Sequence, residues 1–237
     1  MEQWSDQHLA ALAITVVVPV LLVIAVRRRP KLAVGIGRGL AVLILAGFAC
    51  EQITYAARGE WTAKFNLPLQ LTDAVTLVSV VALLGIGSAL LVELVYFWAL
   101  TASVQAVLTP DLMQSFPDVL FFTYFATHSG AIAAACLLVF GEGRTPRPGA
   151  VWRVYAITAG FAVLAAVGTL ATGGNYMFLR RKPVNGSLLD LMGPWPVYIV
   201  VAAAFGLAMF VALAALARHI IPRDTRAPRS AARNAPS

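Results

Sequence analysis

Seven stretches of about twenty mostly apolar residues follow one another along the chain, at roughly 9–26, 35–56, 67–86, 89–108, 118–140, 150–172 and 195–217. Each has the length an α-helix needs to cross a bilayer. Clusters of Gly, Pro and charge separate them, such as RRRP at 27–30, TPD at 109–111, GEGR at 141–144 and GGN at 173–175. The connection around Gly85 and Gly87 is so short that the third and fourth helices are expected to form an antiparallel hairpin. The pattern predicts an all-α, polytopic membrane protein with seven transmembrane helices over residues 1–221. A basic tail rich in Ala, Pro and Ser follows over 222–237, read as disordered and close to an anionic leaflet.

Composition sharpens this. Only 12% of the 237 residues are charged, about half the share found in soluble domains. The first eight residues lack the basic segment of a cleavable signal peptide, so the first apolar run is read as a retained helix. The net charge of +7 gains meaning once it is mapped onto loops. With the N-terminus outside, the inner segments hold Arg27, Arg28, Arg29, Lys31, Arg144, Arg147, Arg218 and the tail arginines, against Arg58, Lys64, Arg180, Arg181 and Lys182 outside. The positive-inside rule therefore predicts an outer N-terminus and a cytoplasmic C-terminus.

In that orientation the polar residues of the apolar runs gather toward one side. Glu51 and Gln52 fall in the outer part of the second helix and Gln70, Thr72 and Asp73 in the outer third of the third, with Asn66 as its expected cap and Pro68 in its first turn. Gln105 falls near the outer boundary, and His128 about 15 Å below the outer end of the fifth helix. Glu93, near an inner helix end, is the exception. Thr72, Thr76 and Ser79 share a helix face. Small hydroxyls there let helices pack closely, which is the structural reading of Thr76 and Ser79. Thr72 and His128 are also the residue types of a hydroxyl nucleophile and its general base, with Asp73 or Glu51 available to orient the imidazole. A structural histidine bonded to backbone or hydroxyl is the competing reading of His128. The outer loop adds Asn175, Tyr176, Arg180, Arg181, Lys182, Asp190 and Trp195. Aromatics beside cations suit a lipid headgroup, though interfacial snorkelling accounts for the cations equally well.

Other classes drop out. The seventh helix carries no Lys for a retinal Schiff base, and no His or Cys spacing points to a metal. Cys50 and Cys136 lie in apolar runs and read as packing residues. No phosphate-binding glycine loop occurs, and the basic tail is explained by the membrane, without nucleic acid. No cofactor is expected; membrane lipids are the expected partners.

LPLQLTD at 67–73, His128, GNYMFL at 174–179 with Lys182 and Pro183, and SLLD at 187–190 with GPWP at 193–196 resemble the YwaF-type integral membrane proteins of bacteria. More distantly, the chain is similar to a eukaryotic transmembrane acyltransferase of ether-phospholipid remodelling and to the androgen-induced threonine hydrolases of fatty-acid esters. The resemblance implies a multi-pass protein of a bacterial plasma membrane. It also implies an intramembrane Cys or Thr nucleophile paired with a His. Relatives often carry Leu-Pro-Leu-His-Leu-Cys-Asp at the third helix; here Gln70 stands for that His and Thr72 for that Cys. The change suits a hydrolase-type nucleophile and speaks against thiol acyl transfer. The expectation is a lipid acyl hydrolase or acyltransferase using Thr72 and His128. A carrier for a proton or polar solute, or a non-catalytic scaffold, stands as the alternative.

Overall fold

A computed structural model describes residues 1–86 and 88–220. The tail from 222 lies outside the described residues. Every regular element among the described residues is helical: α1 (Asp6–Arg28), α2 (Ala33–Ala57), α3 (Leu71–Leu83), α4 (Ala89–Trp98), α5 (Val104–Leu108), α6 (Val119–Cys136), α7 (Ala150–Thr172) and α8 (Val197–Ile220). A π-helical turn, Ala99–Ser103, joins α4 to α5 as one rod, and a second, Leu137–Gly141, extends α6. Six rods are long and apolar enough to cross a membrane, and α3 is a shorter apolar helix beside them. The seven-helix expectation holds in that form, for a multi-pass membrane protein.

Two boundaries differ from expectation. The third helix starts at Leu71, with Gln70 at its N-cap and Pro68 outside it. The Asn66 side chain instead accepts the Thr62 N–H at 2.9 Å within the preceding loop. Gln70 is held extended because its Oε1 accepts the Met177 N–H at 2.7 Å, a tertiary bond that overrides the local start signal. At 13 residues, α3 is about 20 Å long, less than the ~30 Å of a hydrocarbon core. The seventh helix starts at Val197, after Pro194 and Pro196.

Helix α6 sits at the centre, touching α1, α2, α3, α4 and α5. Its alanines 131, 133, 134 and 135 are buried and let neighbouring backbones approach, the usual device where lipid removes any hydrophobic drive between helices. Gly47 faces Thr123, Ala126 and Thr127 of α6, and Gly130 faces Ile44 of α2. Directional bonds fix the outer helices: Tyr96 Oη donates to Leu213 O of α8 at 2.9 Å, and Trp98 Nε1 to Thr158 Oγ1 of α7 at 2.7 Å. At one end of the bundle Glu93, 1% exposed, is gripped by Arg147 (Nε, 2.8 Å) and Arg153 (Nη2, 3.0 Å) and also accepts the Arg147 backbone N–H at 3.0 Å.

The α2–α6 contact predicts a specific pair of phenotypes. A Cβ on Gly130 would stand 2.6 Å from Ile44 Cγ1, so Gly130→Ala should destabilise the detergent-solubilised protein by ~1–3 kcal/mol through overpacking. Adding Ile44→Ala should recover part of that loss. Thermal unfolding of both variants would show it.

Candidate functional site

The loops at the end of the bundle where α2 ends and α3 begins form a clasp before any chemistry is considered. The hydroxyl of Tyr176, a buried residue, donates to Ala63 O and accepts the Leu67 N–H at 3.2 Å, and its N–H donates to Thr169 Oγ1 at 3.0 Å. Burial pushes the Tyr176 phenol above its usual range, keeping the donor in place. A Cβ on Gly174 would stand 2.5 Å from Lys64 O, so only glycine admits that approach. Asn175 closes the following turn: its Oδ1 accepts the N–H groups of Arg180 (3.0 Å) and Arg181 (3.1 Å), while Nδ2 donates to Arg181 O at 2.8 Å. Asp190 accepts the Ser187 N–H at 2.8 Å and pairs with Lys182 at 3.8 Å. Trp195 Nε1 donates to Leu179 O at 3.1 Å. The polar atoms of Gln70, Asn175, Tyr176 and Asp190 thus hold the loop itself. Lys182 is partnered, whereas Arg180 and Arg181 are exposed.

Beneath the clasp lies a polar region bounded by α2, α3, the first π turn and α6. Thr72 is half-buried on the face that carries buried Thr76 and Ser79, so this face turns inward. Thr76 Oγ1 donates to Thr72 O at 2.8 Å, and the Thr72 hydroxyl itself engages no group among the described residues. Asp73 Oδ2 accepts the Gln70 N–H at 3.2 Å, and Glu51 lies within electrostatic reach of it.

His128 is set on α6 by two neighbours. Its ring stacks on Tyr124 with centroids 4.1 Å apart, and Tyr124 is pinned by its own bond to Ala106 O at 2.7 Å. His128 Nδ1 lies 3.0 Å from Thr127 Oγ1. The single hydroxyl proton of Thr127 is directed at the carbonyls of Thr123 and Tyr124, both at 3.0 Å. With the Thr127 proton on one of those carbonyls, Nδ1 is the donor to Thr127 and the Nε2 lone pair is open. This tautomer is the one a general base requires. The imidazole is oriented by Thr127, while the expected orienter Asp73 serves the α3 N-terminus.

Depth follows from the helix contacts. Leu83 O meets Gly37 across the antiparallel α2–α3 pair, and Ile44 and Gly47 meet Gly130 and Thr127 across the antiparallel α2–α6 pair. Extended along each pair at about 1.5 Å per residue, these contacts bring Thr72 level with Phe48 and His128 level with Ala46, within about one turn of each other.

Three features of this region were not read from the sequence as functional. The π turn Ala99–Ser103 touches both α3 and α6, and such turns recur at functional sites. Ser103 and Ser79 are fully buried and their hydroxyls have no partner among the described residues. Thr127 adjoins His128 in the chain, and that adjacency was the available signal. A largely apolar cavity of about 560 Å³ lies elsewhere, on the flank of α6 that faces α1, walled by Ile14, Leu40, Phe125 and Gly130. His8 belongs to neither place: it is buried, accepts the Trp4 N–H at 2.9 Å on Nδ1 and meets Val107 O at 2.8 Å through Nε2.

The clasp gives a direct prediction. Tyr176→Phe removes the hydroxyl that bridges two loops and should cost ~1–2 kcal/mol. Amide hydrogen exchange should rise at Leu67 and around 174–181, with little change in α6.

Compared with known proteins, residues 3–214 match the TMEM164 family model. No curated protein and no solved structure matches.

Proposed function

The chain belongs to the TMEM164 family, and from that premise we propose that it is an intramembrane lipid acyl hydrolase or acyltransferase with Thr72 as nucleophile and His128 as base. The observation that supports the reading is the 3.0 Å contact of His128 Nδ1 with Thr127, whose hydroxyl also reaches two backbone carbonyls; with Nδ1 as donor, Nε2 is free to act as base. At a similar depth the Thr72 hydroxyl is uncommitted. The motif resemblance to YwaF-type proteins, and the more distant one to a eukaryotic acyltransferase and to threonine hydrolases that pair a Cys or Thr with a His, supports the same reading.

In the proposed reaction Thr72 Oγ adds to the carbonyl carbon of a lipid ester while His128 Nε2 takes its proton. Collapse of the tetrahedral adduct expels the lyso-lipid alkoxide, which leaves with that proton and gives an acyl-threonine. Water, or the hydroxyl of a second lipid, then attacks with His128 again as base, releasing the acyl product and restoring the Thr72 hydroxyl. Thr127 positions the imidazole. Arg180 and Arg181, exposed at the rim, bind the headgroup phosphate, and Trp195 sits beside them at the interface. The polar region faces the outer leaflet of a bacterial plasma membrane, since the opposite loops carry most of the basic residues.

A second reading rests on the neighbouring carboxyls of Glu51 and Asp73, which suit a carrier of protons or small cations. The two readings separate experimentally. Purified protein given fluorescent phospholipid esters should release acyl product, and Thr72→Ala or His128→Ala should lower turnover at least 100-fold. Thr72→Ser should retain part of it. A lipophilic fluorophosphonate should label Thr72. Full turnover in both alanine variants would refute the proposal; no turnover in the parent, with Glu51-dependent proton uptake, would favour the carrier.

A further inference from the structure

At the end of the bundle opposite the outer clasp, the first turn of α7 and the last turns of α8 enclose a cavity of about 240 Å³. Arg147 and Arg218 stand at its sides, and Val151, Val211 and Ala214 form an apolar wall between two membrane-spanning helices. Trp152 completes the rim and is 66% exposed. None of these residues belongs to the Thr72–His128 region.

The charge here is unbalanced by construction. Glu93 contributes one negative charge against Arg147 and Arg153, leaving the trio with one positive charge. Arg147 uses Nε and Nη2 on Glu93, so Nη1 is left for another acceptor, and its side chain is 49% exposed. Its hydrogen bond to Glu93 raises the Arg147 pKa further, so the guanidinium stays charged. Arg218 is exposed at the other side of the cavity and has no acidic partner among the described residues. Pro146 and Pro148 flank Arg147, and its N–H is tied to Glu93, so this cation is held in place before any ligand arrives. The open N–H groups of the first turn of α7, on Val151 and Trp152, add to the same positive field.

Two guanidiniums, one pre-set, beside an apolar wall and an interfacial indole describe a phosphate-bearing amphiphile. A free phosphate would use the cations and leave the wall and the indole idle. We infer that this cavity binds an anionic phospholipid of the adjacent leaflet, its phosphate between Arg147 and Arg218 and its glycerol and upper acyl chain along Val211 and Ala214. Bound there, the lipid joins α7 to α8 at an end where the seam between them opens.

The test uses the full chain in a neutral detergent, with phosphatidylglycerol, phosphatidylcholine or inorganic phosphate added, read by native mass spectrometry and thermal unfolding. Phosphatidylglycerol should give a retained one-lipid adduct and raise the Tm, while phosphatidylcholine and phosphate do neither. Arg218→Gln, an exposed change, should weaken phosphatidylglycerol binding about tenfold, the loss of one charge-assisted contact, and Arg218→Lys should restore part of it. Trp152→Ala should weaken it as well. Arg180→Gln with Arg181→Gln, at the other end, should leave this binding unchanged and so keep it distinct from the proposed substrate headgroup. Stabilisation by phosphate alone would replace the lipid with a soluble anion. Equal retention of the two lipids, or unchanged binding in Arg218→Gln, would overturn the site.

Discussion

A carboxylate removed from water at membrane depth must be paired almost completely, and Glu93 meets that demand. Its two oxygens accept five donor atoms from Arg147 and Arg153, including the Arg147 backbone N–H. A residue so constrained sets the rotation of α4 about its own axis. Through it the α6–α7 connection and the start of α7 are fixed as well. With Glu93 turned toward those arginines, Tyr96 is directed to α8 and Trp98 to α7. Farther along the same rod the π turn then meets α3 and α6. Removing both arginines would leave the Glu93 carboxylate unpaired at a site that water reaches poorly, which is why such groups act as locks more than as simple stabilisers.

The two ends of the bundle solve opposite problems. One is closed by charge, around Glu93. The other is closed mainly by neutral bonds to backbone, through Tyr176, Gln70 and Asn175, each of which ties one loop to another or folds its own loop, with the Arg58–Asp118 and Lys182–Asp190 pairs at its surface. That division explains how a short α3 is held in place. Its N-terminus is anchored by the Gln70–Met177 bond and its far end abuts α2, where Leu83 O meets Gly37. It also separates the cations of the loop between α7 and α8. Lys182 is consumed by Asp190, and Arg180 and Arg181 are left at the surface.

Much of this was legible in the chain, for physical reasons. Span length and composition locate the helices because every backbone group in lipid must bond within its own segment. The 150–172 run matches α7 at both ends because Gly149 and Gly173, each with positive φ, punctuate it. The start of α3 was not legible: Asn66 and Pro68 carry a sound local signal, but a partner 107 residues away from Gln70 decides. The π turns were invisible, since one extra residue per turn leaves no mark in composition. Glu93 stood out as misplaced, yet its arginines lie 54 and 60 residues on, and only packing could name them. Thr127 was in plain view beside His128. Its role depends on where its proton goes, and the i−4 and i−3 carbonyls set that.

The contrast between the ends bears on where function resides. Structural polar clusters in low dielectric close their hydrogen bonds, as Glu93 and Tyr176 do. The region around Thr72 does otherwise. Among the described residues the Thr72 hydroxyl is uncommitted, and Ser79 and Ser103 are fully buried with hydroxyls that pair with nothing. His128 spends one ring nitrogen on Thr127 and keeps the other open. Unsatisfied groups destabilise the protein by themselves, and these lie on α3, α6 and the π turn between α4 and α5, three elements that touch one another. A group that supplied acceptors and donors to these hydroxyls would recover free energy the isolated fold forgoes.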